Sequence, residues 1–160
     1  MWTKQTHGAF DVLVSNAGIF LVRLYGDAEN IETNALDVVE LVLDSNLLGP
    51  LPVIQHLAPL QRSGGRVVNM SSQTGQLAWE DSNMVGYRLF QTALNGLTAN
   101  LAPGLKERRI TVNCYCPGWV RTDVGSKHAM IDIERGAQTP VWLAAEADAV
   151  LTGKFFNQKA

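Results

Sequence analysis

The sequence predicts an α/β fold built on a parallel sheet, and three observations predict it. Short β-branched runs alternate with stretches of helical periodicity along the 160 residues. The runs are nearly continuously apolar, as strands covered on both faces are. Gly, Pro, Ser and Asn clusters separate the two kinds of segment. The first strand is Phe10-Asp11-Val12-Leu13-Val14, closed by the turn Ser15-Asn16-Ala17-Gly18. Residues 19–34 are polar with glycine and read as a loop. From Ala35, the positions Leu36, Val39, Val42, Leu43, Leu47, Leu51, Ile54 and Leu57 recur at helical spacing to about Gln61, with Gly49-Pro50 expected to kink the helix. Ser63-Gly64-Gly65 reads as a turn and Arg66–Met70 as the second strand. A helix follows from Asn83 to Glu107, its last turns weakened by Pro103-Gly104. Thr111–Cys116 is a third strand stopped by Pro117-Gly118, and a helix at Ile133–Leu143 and a strand at Lys154-Phe155-Phe156 complete the order. No repeat or interdomain linker interrupts it, so residues 1–160 read as one domain.

Composition narrows the function. Hydrophobic residues make up 46% and charged residues 18%, a globular balance, and the formal net charge is −2. No basic face favours nucleic acid or an anionic membrane. The one basic cluster, Lys106, Arg108 and Arg109, closes a helix, where cations suit the negative end of the dipole. The most apolar long stretch, Ala35–Leu60, is broken by Asp37, Glu40, Asp44, Asn46 and His56 and is not a membrane span. Cys114 and Cys116 alternate along one strand, too close in an extended segment to bridge comfortably. They read as reduced core thiols of a cytoplasmic protein, and the first twenty residues carry no secretion signal. No His, Cys or carboxylate cluster has ligand spacing, so no metal is expected. Ser72 is not in a G-x-S-x-G elbow and no histidine is marked as a base, which leaves a hydrolase little support.

Four segments carry more specific information. They are Asp11-Val12-Leu13-Val14-Ser15-Asn16-Ala17-Gly18; Asn46-Leu47-Leu48-Gly49; Gly65-Arg66-Val67-Val68-Asn69-Met70-Ser71-Ser72 with Tyr87 15 residues beyond; and Asn113-Cys114-Tyr115-Cys116-Pro117-Gly118-Trp119-Val120-Arg121-Thr122-Asp123. Singly, each has an ordinary reading: Tyr87 as a surface tyrosine, Ser71-Ser72 as a turn or cap, Asn46 as a polar helix residue. Together, in this order and on these elements, they resemble the short-chain dehydrogenases/reductases. The fourth segment, with Glu134-Arg135-Gly136-Ala137 and Thr139-Pro140-Val141-Trp142-Leu143, is most similar to the carbonyl-reductase-like branch.

The resemblance implies the C-terminal part of a Rossmann-type doubly wound parallel sheet, and an NAD(P)H-dependent reduction of a carbonyl or oxidation of an alcohol. It implies that Tyr87 gives the proton, Ser72 hydrogen-bonds the substrate oxygen and Asn46 holds a relaying water. The cofactor-binding set would be Asn16, Ala17, Gly18, Gln91, Pro117, Gly118, Val120 and Thr122. Ligands of open α/β sheets sit beyond the carboxyl ends of the strands, and Asn16, Ser72 and Thr122 fall just after predicted strands. Substrate choice would lie in residues 76–86 and 123–133. The branch favours NADP over NAD, although the residue that reads the ribose 2′ position follows a strand with no counterpart here. Family members often pair through their two long helices, which makes a homo-oligomer an expectation.

Three departures qualify this. The family's Lys, four residues after the Tyr, is Gln91, and Phe90 replaces a small residue. Without that cation a phenol titrates near its ordinary value of about 10, so a large loss of activity is expected. No glycine-rich pyrophosphate turn occurs, and the chain opens at about the family's fourth strand. The strand Asp11–Val14 would then be an exposed edge inviting self-association. Ser15 replaces the first Asn of Asn-Asn-Ala-Gly, a mild change. A family remnant acting as an interaction module is the competing expectation.

Overall fold

The computed structural model describes residues 5–6, 8–21, 36–78 and 83–158. Four strands form one all-parallel sheet in the order β1-β2-β3-β4: β1 (Phe10–Ser15), β2 (Gln61–Met70), β3 (Thr111–Cys116) and β4 (Phe155–Asn157). The helices between them are α1 (Leu36–Leu43), α2 (Pro50–Leu57), α3 (Val85–Leu105) and α4 (Ile133–Ala145). This is the doubly wound α/β arrangement the sequence predicts. Residues 22–34 and Ala35, assigned from sequence to a loop and a helix start, lie outside the described residues, as do 79–82 of the expected substrate loop.

Side-chain alternation along the strands sorts the core into two layers. Val67 and Val112 face α2 and α3, packing with Ile54, Ala58, Ala102 and Ile110. Val68 and Tyr115 face the other way, against Leu143 and Ala147 at the end of α4. Every residue of β3 is buried, as a central parallel strand requires. β1 is different. Leu13 packs into the first layer, but Val12 and Val14 are 36% and 45% exposed on the other face, which α4 does not reach. Beyond β1 no further strand pairs among the described residues.

The expected kink at Gly49-Pro50 takes a definite form. Between α1 and α2 the helix opens into a π turn over Asp44–Leu48, with the Gly49 amide donating to the Asp44 carbonyl at 2.8 Å. Pro50 cannot donate an i−4 bond, and the wider turn absorbs the mismatch while the axis continues. The helix ends earlier than the periodicity implies: α2 stops at Leu57, one 3₁₀ turn follows at Ala58–Leu60, and Gln61 is extended. Pro59 sits in that turn, where a proline ends helical hydrogen bonding. The Ser63-Gly64-Gly65 turn lies inside β2, where pairing jumps from Phe10↔Gln61 to Val12↔Arg66 and Gly64 takes φ +85°. α3 starts at Val85, two residues after the expected Asn83, and runs through Pro103 to Leu105. The basic cluster acts on a neighbouring element: Arg108 donates to the carbonyls of Ala58 and Gln61, capping the end of the α2 segment.

Candidate active site

Because the strands are parallel, their carboxyl ends share one side of the sheet. Asn16-Ala17-Gly18 leaves β1 there, Ser71-Ser72 leaves β2, and Pro117-Gly118 leaves β3. Tyr87 and Gln91 stand one turn apart on one face of α3. The sheet and α3 therefore bring three of the four resembling segments to one place, and Asn46 in the π turn adds the remaining one.

Tyr87 is the centre of the site. Ser72 and Gln91 lie near enough to its hydroxyl to act on the acidity of the phenol. Its ring is held edge-on by Phe20 at 4.9 Å and Phe90 at 5.0 Å between centroids. Burial pushes the phenol above its ordinary pKa of 10.0; Gln91 and Ser72 oppose that rise, and Cys116 adds to it. Among the described residues no cation acts on the phenol to bring it down. Gln91 is 3% exposed, and its Oε1 has no hydrogen-bond partner, a buried acceptor left open beside Tyr87.

Asn46 directs its side chain at the turn after β1. Its Oδ1 accepts from the Ile19 amide at 2.8 Å and its Nδ2 donates to the Ile19 carbonyl at 2.7 Å. The amide thus pins the turn after β1. Gly18 packs tightly at this contact: a Cβ there would meet Asn46 Oδ1 at 3.2 Å, and the amide would have to give by a few tenths of an ångström. Asn16, Ala17 and Gly18 remain exposed.

After β3 the chain forms a braced loop. Gly118 adopts φ +83°. Val120 makes a parallel bridge with Ile131, the Arg121 amide donates to Ile131 O at 2.8 Å, and the Ile131 amide donates to Trp119 O at 3.1 Å. The Val120 side chain lies on Gly136 of α4, where a Cβ would come within 2.7 Å of it. Thr122 is exposed, and its hydroxyl accepts from the Gly125 amide at 3.1 Å. Pro117, Gly118, Val120 and Thr122 thus form one lobe beside the strand ends.

Sequence reasoning missed Phe20, Asn95 and Thr92. Phe20 gave no signal, since it belongs to no periodic element. Asn95 was legible in principle, because it repeats the i+4 spacing from Tyr87 through Gln91, whereas Thr92 lies off that spacing. No group of His, Cys, Asp or Glu side chains that could hold a metal occurs among the described residues. Among them no helix is long and apolar enough to cross a membrane.

Comparison with known proteins agrees with this geometry. A family model described as enoyl-(acyl carrier protein) reductase matches residues 2–150. Oxidoreductase UcpA of Escherichia coli (strain K12) is 34% identical over 128 residues, covering 79% of this chain and 46% of that protein. Carbonyl reductase [NADPH] 1 of Mus musculus is 31% identical, covering 88% of this chain and 64% of its own length. A blue fluorescent protein from a metagenomic library, solved in complex with NADPH, superposes with a TM-score of 0.85 at 27% identity, over 98% of this chain and 66% of that one. The short-chain dehydrogenase/reductase from Serratia marcescens BCRC 10948 gives 0.85 at 25% identity over the same shares. The chain belongs to the short-chain dehydrogenase/reductase family of oxidoreductases. It spans about half the length of UcpA and about two-thirds of the others.

Proposed function

We propose that this chain forms the catalytic and nicotinamide-side portion of an NAD(P)H-dependent carbonyl reductase, weakened by Gln91. The observation that carries the reading is Tyr87 brought beside Ser72 and Gln91, both of which act on its hydroxyl, at the carboxyl ends of parallel strands. The residues fit a nicotinamide with its ribose. Gln91 Oε1 is an open buried acceptor for a hydroxyl, and Asn16-Ala17-Gly18 offers exposed backbone after β1. Pro117, Gly118, Val120 and Thr122 complete the holding set, and the NADPH named for two relatives favours NADP over NAD. When bound, the reduced cofactor supplies the hydride.

The chain's own residues do the rest. Ser72 donates a hydrogen bond to the substrate carbonyl oxygen, and Tyr87 delivers a proton to the alkoxide that develops there. Phe20 and Phe90 fix the phenol ring by edge-on contact. Asn46 holds the Asn16–Ile19 turn in place. The substrate is a small carbonyl or alcohol, and the setting is cytoplasmic. Gln91 adds no charge, so proton transfer lacks the tuning that a cation supplies.

A second reading, an interaction module without turnover, is favoured by the exposed edge of β1 and its uncovered Val12 and Val14. An NADPH titration followed by reduced-nicotinamide fluorescence separates the two. Saturable binding supports the reductase; no binding at millimolar cofactor rejects it for this chain alone.

A further inference from the structure

Ser72 sits in a short turn whose two ends are tied to α3 by one side chain. The Ser71 hydroxyl donates to Asn95 Oδ1 at 2.6 Å, and Asn95 Nδ2 donates to the Gly75 carbonyl at 3.2 Å. The Cys114 thiol of β3 also donates to Asn95 Oδ1, at 3.3 Å. Between those two ends, the Ser72 hydroxyl accepts from the Thr74 amide at 3.3 Å and from the Thr74 hydroxyl at 3.0 Å, shaping a single 3₁₀ turn at Gln73–Gly75. Gly75 presses on the helix backbone so closely that a Cβ would stand 2.7 Å from the Gln91 carbonyl carbon. Thr92 adds one bond, its hydroxyl donating to Gly75 O at 3.2 Å. Tyr87, Gln91 and Asn95 follow one another at i, i+4 and i+8 on the same helix face.

We infer that Asn95 is a positioning residue that holds the Ser72 hydroxyl in register with Tyr87. Among the described residues it is the side chain that bonds both ends of the Ser72 turn and the neighbouring strand β3. Ser72 and Tyr87 come from different elements, separated by 15 positions, and their relative placement depends on docking the turn onto α3. A turn tied only to itself would shift Ser72 by a fraction of an ångström without unfolding anything, and small misplacements of a catalytic pair are costly. This inference rests on the reductase reading for its functional meaning, but its geometry and its test stand without cofactor.

The test is the titration of Tyr87, followed by ¹³Cζ-tyrosine NMR of the cofactor-free protein with the resonance assigned through Tyr87→Phe. In Asn95→Ala the Ser72 hydroxyl, which lowers the pKa of the phenol, shifts away from it, and the Tyr87 midpoint rises by about half a unit or more, since a polar hydrogen facing the ionised form lowers a pKa. Thr92→Val, nearly isosteric and missing a single tie to Gly75, gives a smaller rise in the same direction. Asn100→Ala removes an exposed bond to Gly96 O on the same helix and leaves the midpoint unchanged. A Tyr87 midpoint unmoved in folded Asn95→Ala overturns the inference. If Asn95→Ala does not fold, Thr92→Val decides by the same criterion. Failure of the reductase reading shows separately, as absent NADPH binding with the titration shifts intact.

Discussion

Gln91→Lys places a cation one helical turn from Tyr87, beside the hydroxyl on which Gln91 now acts. An ammonium about 4 Å from the phenolate at an effective dielectric of about 20 is worth about 4 kcal/mol. At about 1.4 kcal/mol per unit that is a downward shift of about three units in the Tyr87 pKa. Residue 91 is 3% exposed, so the ammonium loses hydration there and part of the gain is offset. The net expectation is a fall of about one to two units, reversing the upward push that burial gives the phenol. The assay is phenolate absorbance against pH, taken as the difference between Gln91→Lys and Gln91→Lys/Tyr87→Phe, with the parent pair as reference. Oxidation of an alcohol needs the phenolate and reduction needs the phenol. Turnover by any form that binds cofactor should therefore rise more for oxidation than for reduction. A Tyr87 titration superimposable on the parent, in a protein with unchanged circular dichroism, would refute the reasoning.

Other perturbations are equally direct. Cys114 is pushed from 9.0 to about 11 and Tyr115 from 10.0 to about 12, both by burial first, so the folded state holds these protons more tightly than the unfolded one. Their stabilising contribution is complete below about pH 9 and is lost as pH rises through about 11 to 12; for Cys114 alone it is of order 3 kcal/mol. Urea midpoints should fall between about pH 8 and pH 10.5, and Cys114→Ala should flatten that fall; a constant midpoint would contradict it. Val14→Lys charges the uncovered face of β1 and should reduce self-association measured by light scattering; a parent that is already a stable monomer rules the explanation out. Asn46→Leu strips both bonds from Ile19 and should cost about 1–3 kcal/mol in thermal or chemical unfolding, an effect absent if the turn after β1 is not anchored there.

The sheet was legible because its information is local and repeated. Val67-Val68 and Val112 read as strand wherever they sit, and parallel pairing follows from the helices between them. Tyr87, Ser72 and the segment after β3 were legible only as a set, through the resemblance. The π turn was half visible: Gly49-Pro50 marked the place, but how the backbone absorbs a proline depends on what Asn46 must reach. The Ser63-Gly64-Gly65 signal was read as a boundary, whereas β1 pairs on either side of it and makes it an interruption within one strand. Arg108 was assigned to its own helix dipole, because nothing in the sequence says that Ala58 lies beside it. Phe20 was invisible for the same reason. Its partner Tyr87 is 67 positions away, and such pairings exist only in three dimensions.

The π turn at Asp44–Leu48 also governs how this helix responds to changes in chain length. A π turn holds one residue more than an α turn, so deleting one residue there lets the backbone close into a regular helix with every amide paired. Backbone hydrogen bonding would tolerate that deletion, or even favour it. The loss falls on direction: each residue along an α-helix rotates the side chain by about 100°. Asn46 would swing away from Ile19, or α2 would turn its Ile54 face off the sheet. One surplus residue thus lets α1 aim Asn46 at the turn after β1 while α2 still faces the core. A family member that shortened the segment would have to give up one of the two.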